Sequence, residues 1–229
     1  MGRGTTAKIG LSRPALTLTG GLVLALAVLA FGAVMIGPYG LSPGQTLAAL
    51  LGAGDAQAQI VVWNIRLPRV VAALVVGAAL AAAGASYQAL FRNPLVSPDI
   101  LGVSAGAGLG AVAGIFLSLP VAAIQASAFV GGMAAVGVVT LVASMVRNTD
   151  RTLTLVLIGV VIGALAGAAT SLLKVMADPY DQLPAITFWL LGSLAAITAD
   201  DILPALPMVL AGLVPLALLR WRINVLSLG

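Results

Sequence analysis

Residues 88–111 read QALFRNPLVSPDILGVSAGAGLGA. Long apolar runs flank this stretch, with a charged, proline-broken turn between them and a burst of glycines after it. Arg92 closes the first run, and Asn93-Pro94 prevents a helix from continuing, because proline lacks the N–H and disfavours helical geometry in the residue before it. Ser97-Pro98-Asp99 has the form of a helix start: Ser97 at the N-cap, Pro98 at the first helical position, and Asp99 against the positive end of the helix dipole. That capping role is preferred for Asp99 over a catalytic carboxylate. The stretch is therefore a tight turn between two helices, and the length and polarity of those helices decide the fold.

Composition places them in a membrane. Hydrophobic residues make up 61% of the 229-residue chain and charged residues 8%, against about a quarter charged in a soluble domain. Runs without a charge occupy residues 15–36, 70–91, 100–146, 152–173 and 202–219. At about 1.5 Å per residue, a helix of about 22 residues covers roughly 33 Å, enough for a hydrocarbon core of about 30 Å. The run 100–146 is too long for one crossing, and Pro120 with nearby Gln125 divides it. The expectation is an all-α integral membrane protein: a polytopic bundle of six transmembrane helices over about 15–36, 70–91, 100–119, 122–146, 152–173 and 202–220, in a single transmembrane domain covering 1–229. The first run is kept as a span, since its apolar core exceeds the ~7–15 residues of a signal h-region and no clean small-x-small cleavage site follows.

Orientation follows from the basic residues. An inside N-terminus puts Arg3, Lys8, Arg13, Arg92, Arg147, Arg151, Arg220 and Arg222 in the cytoplasm and leaves Arg66, Arg69 and Lys174 outside, as the positive-inside rule requires. The net charge of +4 thus reflects topology. Nucleic acid is not an expected partner, because no basic patch with stacking aromatics is visible. With neither cysteine nor histidine, the chain has no disulfide framework, no thiolate site, and no imidazole base or ligand. No cofactor or metal site is expected.

The glycines have a packing role. Gly102, Gly106, Gly110 and Gly114 recur every fourth residue, Gly159, Gly163 and Gly167 repeat the pattern with Ser171, and Gly77, Ala81, Ala85 and Ala89 echo it. Four-residue spacing puts small side chains on one helix face, where neighbouring backbones can approach closely. A dinucleotide fingerprint needs GxGxxG at a strand-to-helix turn with an acidic residue about 20 positions on. Here nothing acidic follows before Asp150, and GxxxxGK[ST] is absent. Ser42-Pro43-Gly44-Gln45 has the spacing of a capping box and predicts a short helix through about Leu51. Residues 183–196 hold only about a dozen apolar positions, too few to span, and read as an interfacial or re-entrant helix with Trp189 near the headgroups. Asp200 and Asp201 open the last span, which Pro207 and Pro215 are expected to kink.

Taken together, RLPR at 66–69, QALFRNPL at 88–95, DILGVSAGAG at 99–108, LIGVVIGALAGAATSLL at 157–173, ITFWLLGSLA at 186–195 and RWRINVLSLG at 220–229 resemble the membrane permease subunits of ABC importers for iron-siderophores, haem and cobalamin. The resemblance runs in order from about Leu16 to Gly229. It implies a ten-helix permease of which this chain matches the first part, working as a homo- or heterodimer with a second permease subunit in the bacterial cytoplasmic membrane, N-terminus inside. It further implies a partner ATP-binding subunit that hydrolyses ATP, so that the permease is a transporter subunit rather than an enzyme, and a periplasmic or lipid-anchored substrate-binding protein. By position, the RLPR arginines that meet acidic residues of the binding protein are Arg66 and Arg69, and the cytoplasmic gate is Asn93, Leu95, Thr152 and Leu153. Anchoring at the membrane interface is the alternative for the arginines, and plain helix-stop chemistry the alternative for Asn93. Family members continue past the equivalent of Gly229 into an ATPase-contacting loop and four more helices. The chain is therefore expected to be a fragment of a longer permease rather than one half of a two-polypeptide protein.

Other classes fit less well. A proton- or sodium-driven carrier places ionisable residues at membrane depth, where each costs about 2.5–3.5 kcal/mol to insert, and here the charges sit at the span ends. An intramembrane enzyme needs a nucleophile–base pair or paired carboxylates. A non-transporting scaffold is the remaining alternative. Without histidine or cysteine the chain is poorly equipped to ligate bare iron, so the cargo expected is a chelate: a ferric siderophore first, haem or cobalamin otherwise.

Overall fold

The computed structural model describes residues 13–146 and 150–228. Arg3, Lys8 and Arg147, counted above to the cytoplasmic side, lie outside them. The regular secondary structure among the described residues is all helical: α1 (Arg13–Met35), α2 (Pro43–Leu50), α3 (Ala56–Ile60), a π-helical segment (Val61–Arg66), α4 (Leu67–Phe91), a 3-10 turn (Pro98–Leu101), α5 (Val103–Phe116), α6 (Val121–Met145), α7 (Arg151–Met176), α8 (Gln182–Leu191) and α9 (Ala199–Leu228). Five helices among them are long and apolar enough to cross a membrane: Thr17–Met35, Ala56–Phe91, Val121–Met145, Thr152–Met176 and Ala199–Val225. Their large apolar side chains are mostly exposed, as on Leu22, Leu29, Leu80, Leu141, Val161 and Leu218. Such outward-facing apolar surface suits lipid rather than water.

The chain divides into two compact units, Met1–Val70 and Val71–Gly229. In the first, the predicted capping box is present. Ser42 N donates to Gln45 Oε1 at 2.8 Å, and Gln45 N donates back to Ser42 Oγ at 3.3 Å. The two orphan donors at the start of α2 are thereby satisfied. A small apolar core of Val34, Ala49, Ala58 and Val62 holds α1, α2, α3 and the π segment together.

The second unit is organised around α5. Its contacts with α6 run in reverse order along the two helices: a Cβ on Gly106 would meet Gly131 O and Ala135 Cβ, one on Gly110 would meet Ser127 and Ala128, and one on Gly114 would meet Ile124. The pair is antiparallel and packed backbone to backbone, which small residues alone permit. On another side α5 meets α8, where Ile186 is fully buried with Val112, Ile115 and Ala177.

The third expected span, 100–119, takes a different form. Residues 98–101 wind as a 3-10 turn, Gly102 adopts φ +70°, and α5 then runs for only 14 residues. The left-handed φ at Gly102 breaks the helix and favours glycine because a side chain there clashes with the backbone. At the far end Ser118 is also left-handed (φ 53°), with Ser118 N donating to Ile115 O and Leu119 N to Gly114 O. This bonding pattern closes a helix. Ser97 occupies the expected N-cap position but makes no capping side-chain bond, and the Asp99 carboxylate accepts the Ser104 hydroxyl instead. Pro120 divides 100–146 as predicted, standing at the N-cap of α6. α9 continues through Pro204, Pro207 and Pro215.

Candidate docking and gating sites

The RLPR motif lies where the π segment passes into α4. The π geometry, marked by Leu67 N donating to Val62 O five residues back, carries Arg66 inward. Arg66 is 6% exposed. Its Nη1 donates to Val34 O at 2.9 Å and Met35 O at 3.0 Å, and more distantly to Thr46 Oγ1 at 3.5 Å; its Nη2 donates to Tyr39 O at 2.6 Å. The carbonyls of Val34 and Met35 belong to the last turn of α1, where an α-helix has no partners of its own and carries partial negative charge. All four acceptors are neutral oxygens. Arg69, one helical turn later on the same face, is half-buried. Of the two arginines assigned to docking by resemblance, Arg66 thus has its guanidinium committed within the chain.

Asn93 and Leu95 lie in the turn after α4. That helix ends with Arg92 in the left-handed region (φ 49°), and Asn93 Oδ1 accepts from Leu95 N at 2.9 Å. This is the side-chain turn that asparagine favours, and it leaves Leu95 87% exposed. Thr152 and Leu153 are exposed in the first turn of α7, whose start is capped by Asp150: Oδ1 accepts from Leu153 N at 2.9 Å and the backbone O from Thr154 Oγ1 at 2.8 Å.

The 3-10 turn that follows Leu95 rests on α7, and a Cβ on Gly102 would stand 3.2 Å from Gly159 O. Thr152, but neither Asn93 nor Leu95, lines a cavity of about 640 Å³ with Tyr87, Phe91, Leu101, Thr140 and Ser144. Among the packing glycines, Gly163 has only ordinary contacts, Ala105 Cβ at 3.9 Å and Gly102 Cα at 4.0 Å, while Gly167 has nothing within 4 Å. No group of His, Cys, Asp or Glu that could hold a metal occurs among the described residues.

Three features escaped sequence reasoning: the π segment, the inward turn of Arg66, and Gln182. Gln182 Nε2 donates to Phe116 O at 2.9 Å and Ser118 Oγ at 3.3 Å, fastening the start of α8 to the end of α5. No sequence signal separates the two RLPR arginines, since the burial of Arg66 depends on α1 and α2, which lie 20 to 32 residues earlier in the chain.

Comparison with known proteins decides the family. Residues 23–229 match the FecCD transport family. The chain belongs to it. The chain is 38% identical over 214 residues to the molybdate import system permease protein MolB of Haemophilus influenzae, covering 91% of this chain and 63% of that protein. It is 43% identical over 173 residues to the cobalamin import system permease protein BtuC of Halobacterium salinarum, covering 75% and 46%. With the ferric enterobactin transport system permease protein FepG of Escherichia coli it shares 36% identity over 216 residues, covering 91% and 64%. A solved metal-chelate type ABC transporter in an inward-facing conformation superposes with a TM-score of 0.78 at 35% identity, over 93% of this chain and 65% of that one. The chain spans roughly half to two thirds of the length of these relatives. Family membership and five membrane-length helices make it part of a multi-pass membrane protein, in a family of transport proteins whose membrane subunits are not themselves enzymes.

Proposed function

We propose that this chain is the permease part of a binding-protein-dependent ABC importer that carries a metal chelate, with a ferric siderophore the leading cargo, across the bacterial cytoplasmic membrane. The observation carrying this reading is the family match over residues 23–229, in register with a metal-chelate transporter of like fold. An ATP-binding subunit on the cytoplasmic side supplies the energy, and a binding protein delivers cargo from outside. A second permease subunit completes the path, with the N-terminus of this chain inside.

In this reading the end of α1, α2, α3 and the RLPR motif form an outer platform on which the binding protein docks, and Arg69 offers positive charge to acidic groups of that partner. The turn at Asn93–Leu95 and the first turn of α7 at Thr152–Leu153 serve as the cytoplasmic gate, mechanically linked through the 3-10 turn seated on Gly159. Cargo arrives already chelated, since the chain offers neither imidazole nor thiolate to strip a metal from its carrier.

Cobalamin and molybdate are the competing cargoes, favoured by the names of two relatives. The test is uptake of radiolabelled ferric siderophore, cobalamin and molybdate by cells of the native organism with and without the gene. Loss of siderophore uptake alone, dependent on ATP, supports the reading. Loss of cobalamin or molybdate uptake instead reassigns the cargo. Uptake that persists without ATP, or no change for any cargo, removes the importer reading.

A further inference from the structure

The two arginines of RLPR are three residues apart in sequence yet sit in different surroundings. Arg66 is 6% exposed and donates to oxygens from three separate segments: the last turn of α1 (Val34, Met35), the following turn (Tyr39) and α2 (Thr46). Thr46 is itself fully buried, and its hydroxyl donates to Ser42 O. A second, independent feature bears on the same seat. Gly37 lies against the guanidinium, so that a Cβ there would stand 2.8 Å from Arg66 Nε and 3.0 Å from Cζ and Nη2. The chain thus leaves a side-chain-free slot beside a planar cation, at the negative end of a helix whose last carbonyls need donors.

We propose that Arg66 is a positioning residue, a buried clasp that fastens the end of α1 and the start of α2 to the π segment and so sets the platform from which Arg69 presents its charge. The division of labour follows from geometry. A guanidinium carries five donors in a rigid fork and can satisfy several carbonyls at once, which a lysine ammonium on a flexible stem cannot reproduce. A docking cation, by contrast, needs mainly its charge. The role assigned to Arg69 rests on the importer reading above; the clasp does not.

The experiment therefore has two arms. In the first, the full chain in detergent is treated with phenylglyoxal, which modifies accessible guanidinium groups, and modification at each arginine is followed by mass spectrometry. Arg66 is expected to react at least tenfold more slowly than the exposed Arg92, and Gly37→Ala to bring it close to the Arg92 rate, whereas Gly167→Ala leaves it slow. Equal rates for Arg66 and Arg92 in the unsubstituted chain overturn the clasp, and so does continued protection of Arg66 in a folded Gly37→Ala variant. The second arm measures binding-protein-dependent uptake in cells. Arg66→Lys is expected to lose most activity, with KM for the loaded binding protein rising more than the maximal rate falls. Full activity in Arg66→Lys, or a fall in maximal rate with KM unchanged, overturns the positioning role. Slow Arg66 labelling in a chain whose gene supports no uptake leaves the clasp standing and removes the importer reading instead.

Discussion

The carbonyl of Ile100 occupies the place where a Cβ on Gly159 would stand, so the 3-10 turn and α7 meet backbone to backbone. No side chain larger than hydrogen fits without displacing main chain. Gly159→Ala is expected to destabilise the fold by about 1–3 kcal/mol, the usual cost of overpacking a close contact. Gly167→Ala, at a position with nothing within 4 Å, is expected to stay within about 0.5 kcal/mol. Thermal unfolding of the two variants in the same detergent checks the contrast, and equal losses would contradict it.

Asp150 holds the start of α7 by accepting from Leu153 N. Replacing an N-cap aspartate by alanine costs about 1 kcal/mol, whereas asparagine caps equally well. Asp150→Ala is therefore expected to lower the unfolding temperature and quicken amide exchange at Leu153, with Asp150→Asn close to the parent. A loss of the same size in both variants would assign the effect to charge rather than to capping.

Asn93 supports its turn through Oδ1, which accepts from Leu95 N. An aspartate oxygen can do the same, and alanine cannot. If turn geometry is what matters at this position, uptake through the permease survives Asn93→Asp and falls several-fold with Asn93→Ala. The reverse order would point to the amide N–H₂ acting directly in the gate proposed above.

Gln182 joins the start of α8 to the end of α5. Gln182→Leu removes both bonds at a cost of about 1 kcal/mol and is expected to speed amide exchange at Ser118 and Leu119, whose N–H groups close α5. Exchange at the α6–α9 contact, held in part by Gln125 Nε2 donating to Asp201 O at 2.9 Å, is expected to be unchanged. Faster exchange at both places would mean that Gln182 supports the whole unit rather than one joint.

Local chemistry determined a good deal. The apolar runs required membrane-length helices, Pro120 and Asn93-Pro94 required breaks, Ser42 and Gln45 required a capped helix, and four-residue glycine spacing required close helix contacts, which Gly106, Gly110 and Gly114 make with α6. Each of these depends on residues within a few positions of one another, so each is legible along the chain. Tertiary structure alone decided the rest. Hydropathy counted residues 100–119 as a span, but the left-handed turns at Gly102 and Ser118 shorten α5 to the part enclosed by α6, α7 and α8. Glycine spacing could not reveal that, among the described residues, nothing comes within 4 Å of a Cβ on Gly167. Nor could an RLPR motif disclose that its first arginine reaches carbonyls 31 and 32 residues earlier in the chain. The physical reason is common to all three: propensity and hydropathy belong to a segment, whereas an unsatisfied carbonyl, a slot without a Cβ and a vacant helix face exist only once distant segments have been brought together.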